Sequence, residues 1–159
     1  MAAVDYFLKL DGIDGEVTAA GHEKWIEVES FSWGASNPTT IGSATGGAGA
    51  GKVQMQDFSF VLPFSKASLD LFMKCATGER IREATLSASR IAGGQLTDFI
   101  KWRLSDCLVS SYQSTGSENA PTDSLSLAFA KIELTDMFIK GETGTPLSVG
   151  WDVVQNKSV

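Results

Sequence analysis

Asn37–Leu62 reads NPTTIGSATGGAGAGKVQMQDFSFVL, and the residues after Lys52 decide the fold. Gly46, Gly51 and Lys52 match the GxxxxGK part of a phosphate-binding loop. In such a loop the next residue is Ser or Thr, to hold magnesium, and a helix then opens whose N-terminal amides cradle phosphate. Here Val53 comes after Lys52, and VQMQDFSFVL alternates like a strand. The helix that the chemistry needs is missing. Asn37 to Lys52 is therefore read as a long, charge-free, glycine-rich loop between strands, a type that tends to be functional or to order against a partner. Its glycines lose much entropy on ordering, so Gly42 to Gly51 are expected to be mobile in a free subunit. Without charge, the loop can lie on another subunit without burying an unpaired ion.

Outward from this loop the chain keeps period two. Val4, Tyr6, Leu8 and Leu10 alternate, and Asp11-Gly12 and Asp14-Gly15 then mark turns. A second strand is expected over Lys24 to Trp33. Ile26 and Val28 share one face there, and Trp25, Glu27, Glu29, Phe31 and Trp33 the other. The apolar side changes along this strand. It changes again between Val53/Met55 and Phe58/Phe60/Leu62, and between Leu125/Leu127/Phe129 and Ala130/Ile132/Leu134. Such a phase change marks a β-bulge or a strand passing from one packed surface to another. Long, bent strands of a barrel or sandwich are the expectation. Further strands are expected over Ile81 to Arg90, Thr97 to Ser114 and Leu147 to Gln155, with turns at Gly93-Gly94, Gly116 to Pro121 and Gly141 to Pro146.

One segment has helical period. Leu69, Phe72, Met73 and Ala76 fall at i, i+3, i+4 and i+7, with Ser65 as N-cap and Gly78 as the stop. That apolar face is expected to pack on the sheet.

At 159 residues the chain suits one domain with a sizeable core. Net charge is -6 with pI near 4.7, against the basic surface that sequence-independent nucleic-acid binding needs. No stretch approaches the roughly 20 apolar residues of a membrane span. The opening MAAVDYFLKLDG lacks the basic and apolar regions of a secretory signal. Cys75 and Cys107 form no CxxC pair and are expected to be buried and inert in a reducing cytoplasm.

Chemical sites are sparse. His22 is the only histidine, so any Ser-His-Asp or Cys-His arrangement would have to use it. In the polar turn AAGHEK it reads as an exposed loop residue. Glu27 and Glu29 beside Trp25 could flank a glycosidic bond, but i, i+2 carboxylates are commonly a solvated or inter-subunit face. Arg80/Arg82 and Lys101/Arg103 could line a polar channel; the plainer reading is a solvated face with local ion pairs.

Taken in order, DYFLKLDGIDGE (Asp5–Glu16), IEVESFSWG (Ile26–Gly34), GKVQMQDFSF (Gly51–Phe60), LVSSYQSTGS (Leu108–Ser117), LSLAFAKIEL (Leu125–Leu134) and VGWDVVQN (Val149–Asn156) resemble the hemolysin-coregulated protein (Hcp) family. These are tube subunits of bacterial type VI secretion systems. The resemblance spans nearly the whole chain and implies a single all-β domain over 1–159. The expected form is a compact β-barrel of two sheets, with one short helix and an extended loop. It further implies sixfold rings stacked into a tube inside a contractile sheath, and kinship with phage tail tubes. Neither catalysis nor a cofactor or metal is implied, and no toxin domain is expected after Val159.

The implied partners are the chain itself, as homohexamer and stacked rings, with sheath, spike and baseplate proteins and small effectors in the lumen. Nucleic acid and membrane insertion are not implied. The protein would be made in the cytoplasm and exported by the type VI apparatus without a signal peptide. The loop residues Asn37, Ile41, Gly42, Gly46, Gly47, Gly49, Gly51 and Lys52 would make ring-stacking or inter-subunit contacts. Lys66, Ser68, Asp70 and Lys74 would place the helix on the lumen side. The alternatives are a phage tail-tube subunit and a monomeric β-sandwich module. The module would bind carbohydrate or peptide on Trp25 and Trp33, beside Glu27 and Glu29.

Overall fold

The computed structural model describes residues 3–38, 52–137 and 146–159. Its strands are β1 Asp5–Leu10, β2 Ile26–Val28, β3 Ser30–Ser32, β4 Ala35–Ser36, β5 Gln54–Met55 and β6 Phe58–Pro63. Helix α1, Lys66–Thr77, comes next, then β7 Ile81–Ala92, β8 Gln95–Thr115, β9 Thr122–Asp136, β10 Leu147–Asp152 and β11 Lys157–Ser158. Nine strands form one antiparallel sheet in the order β11-β10-β9-β8-β7-β1-β2, with β6 and then β3 branching from β9. A separate pair, β4 and β5, stands at the base of the glycine-rich segment. The all-β class is as expected. The expected two sheets are present, but among the described residues they do not close into a barrel.

Each phase change in the sequence has its own physical cause. The second strand breaks at Glu29, whose N–H leaves β1 and donates to Val61 O at 2.8 Å. Lys52–Leu62 divides into β5 and β6 around Gln56 and Asp57. In β9 the change falls where one partner is exchanged for another. Residues 122–127 pair with β6, and residues 131–136 pair with β10. Opposite that exchange β8 takes a bulge between Val109 and Ser111. The extra Ser110 donates its hydroxyl to Asp57 at 2.6 Å. Asp106 bends β8 further with a left-handed backbone (φ 56°), which Asp tolerates better than most side chains, and Arg80 holds its carboxylate at 2.6 Å.

Leu8, Leu10, Phe58, Phe60, Leu62, Leu86, Leu104, Leu125 and Leu127 fill the core. Phe58 lies at its centre, against Phe31, Trp33, Phe60 and Trp102. Gly15 lets the chain approach Trp25, where a Cβ would sit 2.2 Å from the Trp25 carbonyl oxygen.

Helix α1 begins and ends where its caps were expected. Ser65 and Ser68 form a reciprocal capping box, and Gly78 takes the left-handed C-cap. Its orientation is the reverse of the expectation. Ala67, Ser68 and Leu71 face the sheet, while Leu69, Phe72 and Met73 are 65%, 57% and 54% exposed. The reason is a polar anchor. Asp123 on β9 is fully buried and accepts hydrogen bonds from the hydroxyls of Ser68, of Tyr112 at 2.9 Å and of Ser114 at 3.2 Å. A buried carboxylate needs such donors, so the helix turns Ser68 inward and leaves its apolar stripe outside.

Candidate assembly surfaces

Two outward faces of the sheet differ in chemistry. On the branch made by β3, β6, β9 and the second half of β8, strand register aligns Ser32, Ser59, Ser126 and Ser111 in one row. The next row is Ser30, Val61, Ser124 and Gln113. Ser59 and Ser126 hydroxyls lie 3.3 Å apart. The rows line a shallow groove of about 280 Å³ with no charged residue in its wall.

The other face spans β1, β7, the first half of β8, the end of β9 and β10. There Lys9, Thr85, Arg103 and Glu133 form one row, and Glu83, Ser105, Lys131 and Asp152 another. Opposite charges meet, Arg103 to Glu83 diagonally at 3.0 Å and Lys131 to Asp152 directly across at 3.9 Å. Lys101 reaches Asp98 at 3.6 Å. Lys101 and Arg103 thus lie on a solvated face with local ion pairs, while Arg80 pairs with Asp106 ahead of β7 and Arg82 is exposed.

His22 corrects the sequence reading. It is 4% exposed, stacked on Phe7 with ring centroids 4.5 Å apart, and met edge-on by Trp25. Its turn folds over the outer face of β1 and β7 and buries the ring there, apart from the central core cluster. Nε2 lies 2.8 Å from Asp98 Oδ1 and 3.3 Å from Ser87 Oγ. An ionised carboxylate only accepts, so Nε2 carries the proton. Nδ1 is buried without a partner. A serine–histidine–aspartate triad needs the acid on one ring nitrogen and the nucleophile on the other. Here both converge on Nε2, and Ser87 is itself fully buried. The cluster therefore serves packing.

The remaining sites disperse. Glu27 and Glu29 are solvated, and Trp25 and Trp33 are half-buried, Trp33 stacked on Phe58. Among the described residues no free aromatic platform forms. Lys52 is exposed and leads into β5, not a helix. Asn37 is exposed too; Ile41, Gly42, Gly46, Gly47, Gly49 and Gly51 lie outside the described residues. On α1, Lys66 and Asp70 are solvated, Lys74 pairs with Glu79 at 3.0 Å, and Ser68 is buried on Asp123. Cys107 is buried, and burial pushes its thiol up to about 12; Cys75 is only half-buried. Apolar patterning passed over the serine rows. Their signal was present, in hydroxyls at alternate positions of ESFSW and DSLSL and in the single serine of DFSF.

Sequence and structure agree on kinship. The family described as "Type VI secretion system effector, Hcp" matches residues 7–135. The chain belongs to the Hcp family. It is 33% identical to Protein hcp1 of Pseudomonas aeruginosa, over 97% of this chain and 98% of that protein. Its fold matches Hcp1 from Salmonella typhimurium with a TM-score of 0.82 at 28% identity, covering both chains fully. A structure described as a type six secretion system protein gives 0.88 at 31% identity, covering 99% of this chain and 100% of the other. The protein is accordingly a tube subunit of type VI secretion, a structural secretion protein within a self-assembling family. Among the described residues no helix is long and apolar enough to cross a membrane.

Proposed function

We propose that the chain closes into homohexameric rings whose serine face lines the lumen, and that the rings stack into the tube without any catalysis. The observation that carries this is the pair of hydroxyl rows on β3, β6, β9 and β8. A wall that must let varied small effectors pass needs wetting without fixed charge. Hydroxyls donate and accept weakly, whereas an ion would hold or repel cargo by sign. Helix α1 stands at the lumen margin, with Lys66 and Asp70 in solvent. The segment from Asn37 to Lys52, with Ile41, Gly42, Gly46, Gly47, Gly49 and Gly51, makes the contacts between rings. Sheath, spike and baseplate proteins meet the outside of the tube. Export from the cytoplasm is by the contractile apparatus itself.

Light scattering of the purified protein, with negative-stain microscopy of the peak, tests this. A species near six times 16.9 kDa with an open centre supports it, and a monomer at all concentrations and salts sinks it. Deleting Gly42 to Gly51 is expected to leave rings intact and weaken stacking. Monomers from that deletion would assign the loop to ring closure instead.

A further inference from the structure

The described residues leave two large apolar surfaces uncovered. One is the stripe Leu69, Phe72, Met73 and Ala76 on α1. It exposes roughly 300 Å² of apolar side chain, the size of the largest and often functional patch on an ordinary monomer. The other is a groove of about 520 Å³, walled by Trp33, Met55, Ile132, Leu134, Val149 and Trp151 and free of charged residues. Val149 stands 69% exposed at its edge. Convex stripe and concave groove are alike in chemistry and opposite in shape.

Their positions exclude a contact within one chain. Asp123 anchors α1 at the start of β9, while Ile132 and Leu134 carry the groove near its end. The residues between span roughly 30 Å of strand. Each copy therefore presents a knob at one end and a socket at the other, as a heterologous, head-to-tail interface requires.

From this we infer that the α1 stripe of one copy seats in the apolar groove of a second copy, and that this contact closes the ring. The inference rests on the ring reading above and names the surfaces that make it. The largest apolar pairing belongs to the more durable contact, because obligate interfaces are the more hydrophobic ones.

Phe72→Glu and Val149→Glu test it, each made alone. Both side chains are exposed in the single chain, so each variant keeps the wild-type circular dichroism spectrum and melting temperature as a monomer. Light scattering is expected to show the assembled mass falling to 16.9 kDa for each. The double variant Phe72→Glu/Val149→Lys, which places opposite charges across the contact, regains the assembled mass, and Phe72→Lys/Val149→Lys does not. Full-size rings from both single variants overturn the inference while leaving the ring reading intact. Rings that no longer stack overturn it too, by moving the contact between rings. A monomeric wild type removes the ring reading itself.

Discussion

β9 carries both outward faces of the molecule, and the two halves solve different problems. Ser124 and Ser126 on its first half sit in rows of hydroxyls, whereas Lys131 and Glu133 on its second half sit in rows of opposed charge. Both are solvated β-surface, so stability does not require the difference. The serine half offers only weak, sign-neutral contacts. On the charged half, neighbours set cations beside anions, so that the face is ionic in detail and nearly balanced as a whole. A surface that other molecules must slide along suits the first composition. A surface that tolerates water and salt without attracting one sign suits the second. Beneath each half lies a buried polar knot, Asp123 under the serine rows and His22 with Asp98 beside the charged ones.

Breaking the first knot should give the largest effect. Asp123→Ala removes the common acceptor of Ser68, Tyr112 and Ser114, leaving Ser68 buried without it and the helix without its anchor. A loss of about 3 kcal/mol is expected in urea unfolding, because three hydroxyls lose hydrogen bonds to a charged acceptor. A loss under about 1 kcal/mol would mean that α1 is held by Leu71 and Ala67 alone.

Breaking the second knot should cost less. His22→Ala removes a ring packed between Phe7 and Trp25 and one donor to Asp98, but Ser89 and Lys101 still reach that carboxylate. Roughly 2 kcal/mol is expected from the cavity and the lost bond. His22→Gln should recover part of it, because its amide can still donate. Equal losses from both variants would show that ring packing, not the bond to Asp98, holds the turn.

How much of this was legible depended on what each position answers to. Strand runs and turns come from local alternation and glycine chemistry, and they were readable. The phase changes were readable too, though not which cause lay behind each, since the exchange of β6 for β10 along β9 is a matter of long-range pairing. Helix α1 shows the boundary most clearly. Ser65 and Gly78 fixed its ends, because caps are local. Its orientation was hidden, because Ser68 turns inward to meet Asp123 fifty-five positions away. Period alone assigned Leu69, Phe72 and Met73 to this chain's own core, when they belong to its surface. His22 failed for the same reason: a polar turn looks exposed until its distant acid is known. The phase changes left barrel and sandwich both open and resemblance chose the barrel, whereas the open sheet path comes from pairings that no local pattern encodes.

The serine rows can be challenged without touching the core. Ser126→Asp is half-exposed and should change stability by no more than about 0.5 kcal/mol. In an assembled ring it repeats one carboxylate around a shared space. Like charges then repel across a screening length of about 30 Å at 0.01 M salt, falling to about 3 Å at 1 M. The assembled mass should therefore drop in dilute buffer and recover on adding salt, while the wild type stays constant. A variant indifferent to salt would place Ser126 away from any space common to the copies, and the serine face out of the lumen.

The smallest effect tests the charged half. Arg103 and Glu83 lie 3.0 Å apart but both are well solvated, so water already stabilises each alone. Ordering two long side chains offsets most of the Coulomb gain. A double-mutant cycle of Arg103→Ala and Glu83→Ala should give a coupling below about 1 kcal/mol, and less in 1 M salt, where exposed charges are screened. Both side chains are about half exposed, so losing one partner leaves no buried charge behind. A coupling near about 3 kcal/mol that survives high salt would belong to a desolvated pair. The charged face would then be covered in the assembly, and the contrast with the serine face would no longer be one of two wetted surfaces.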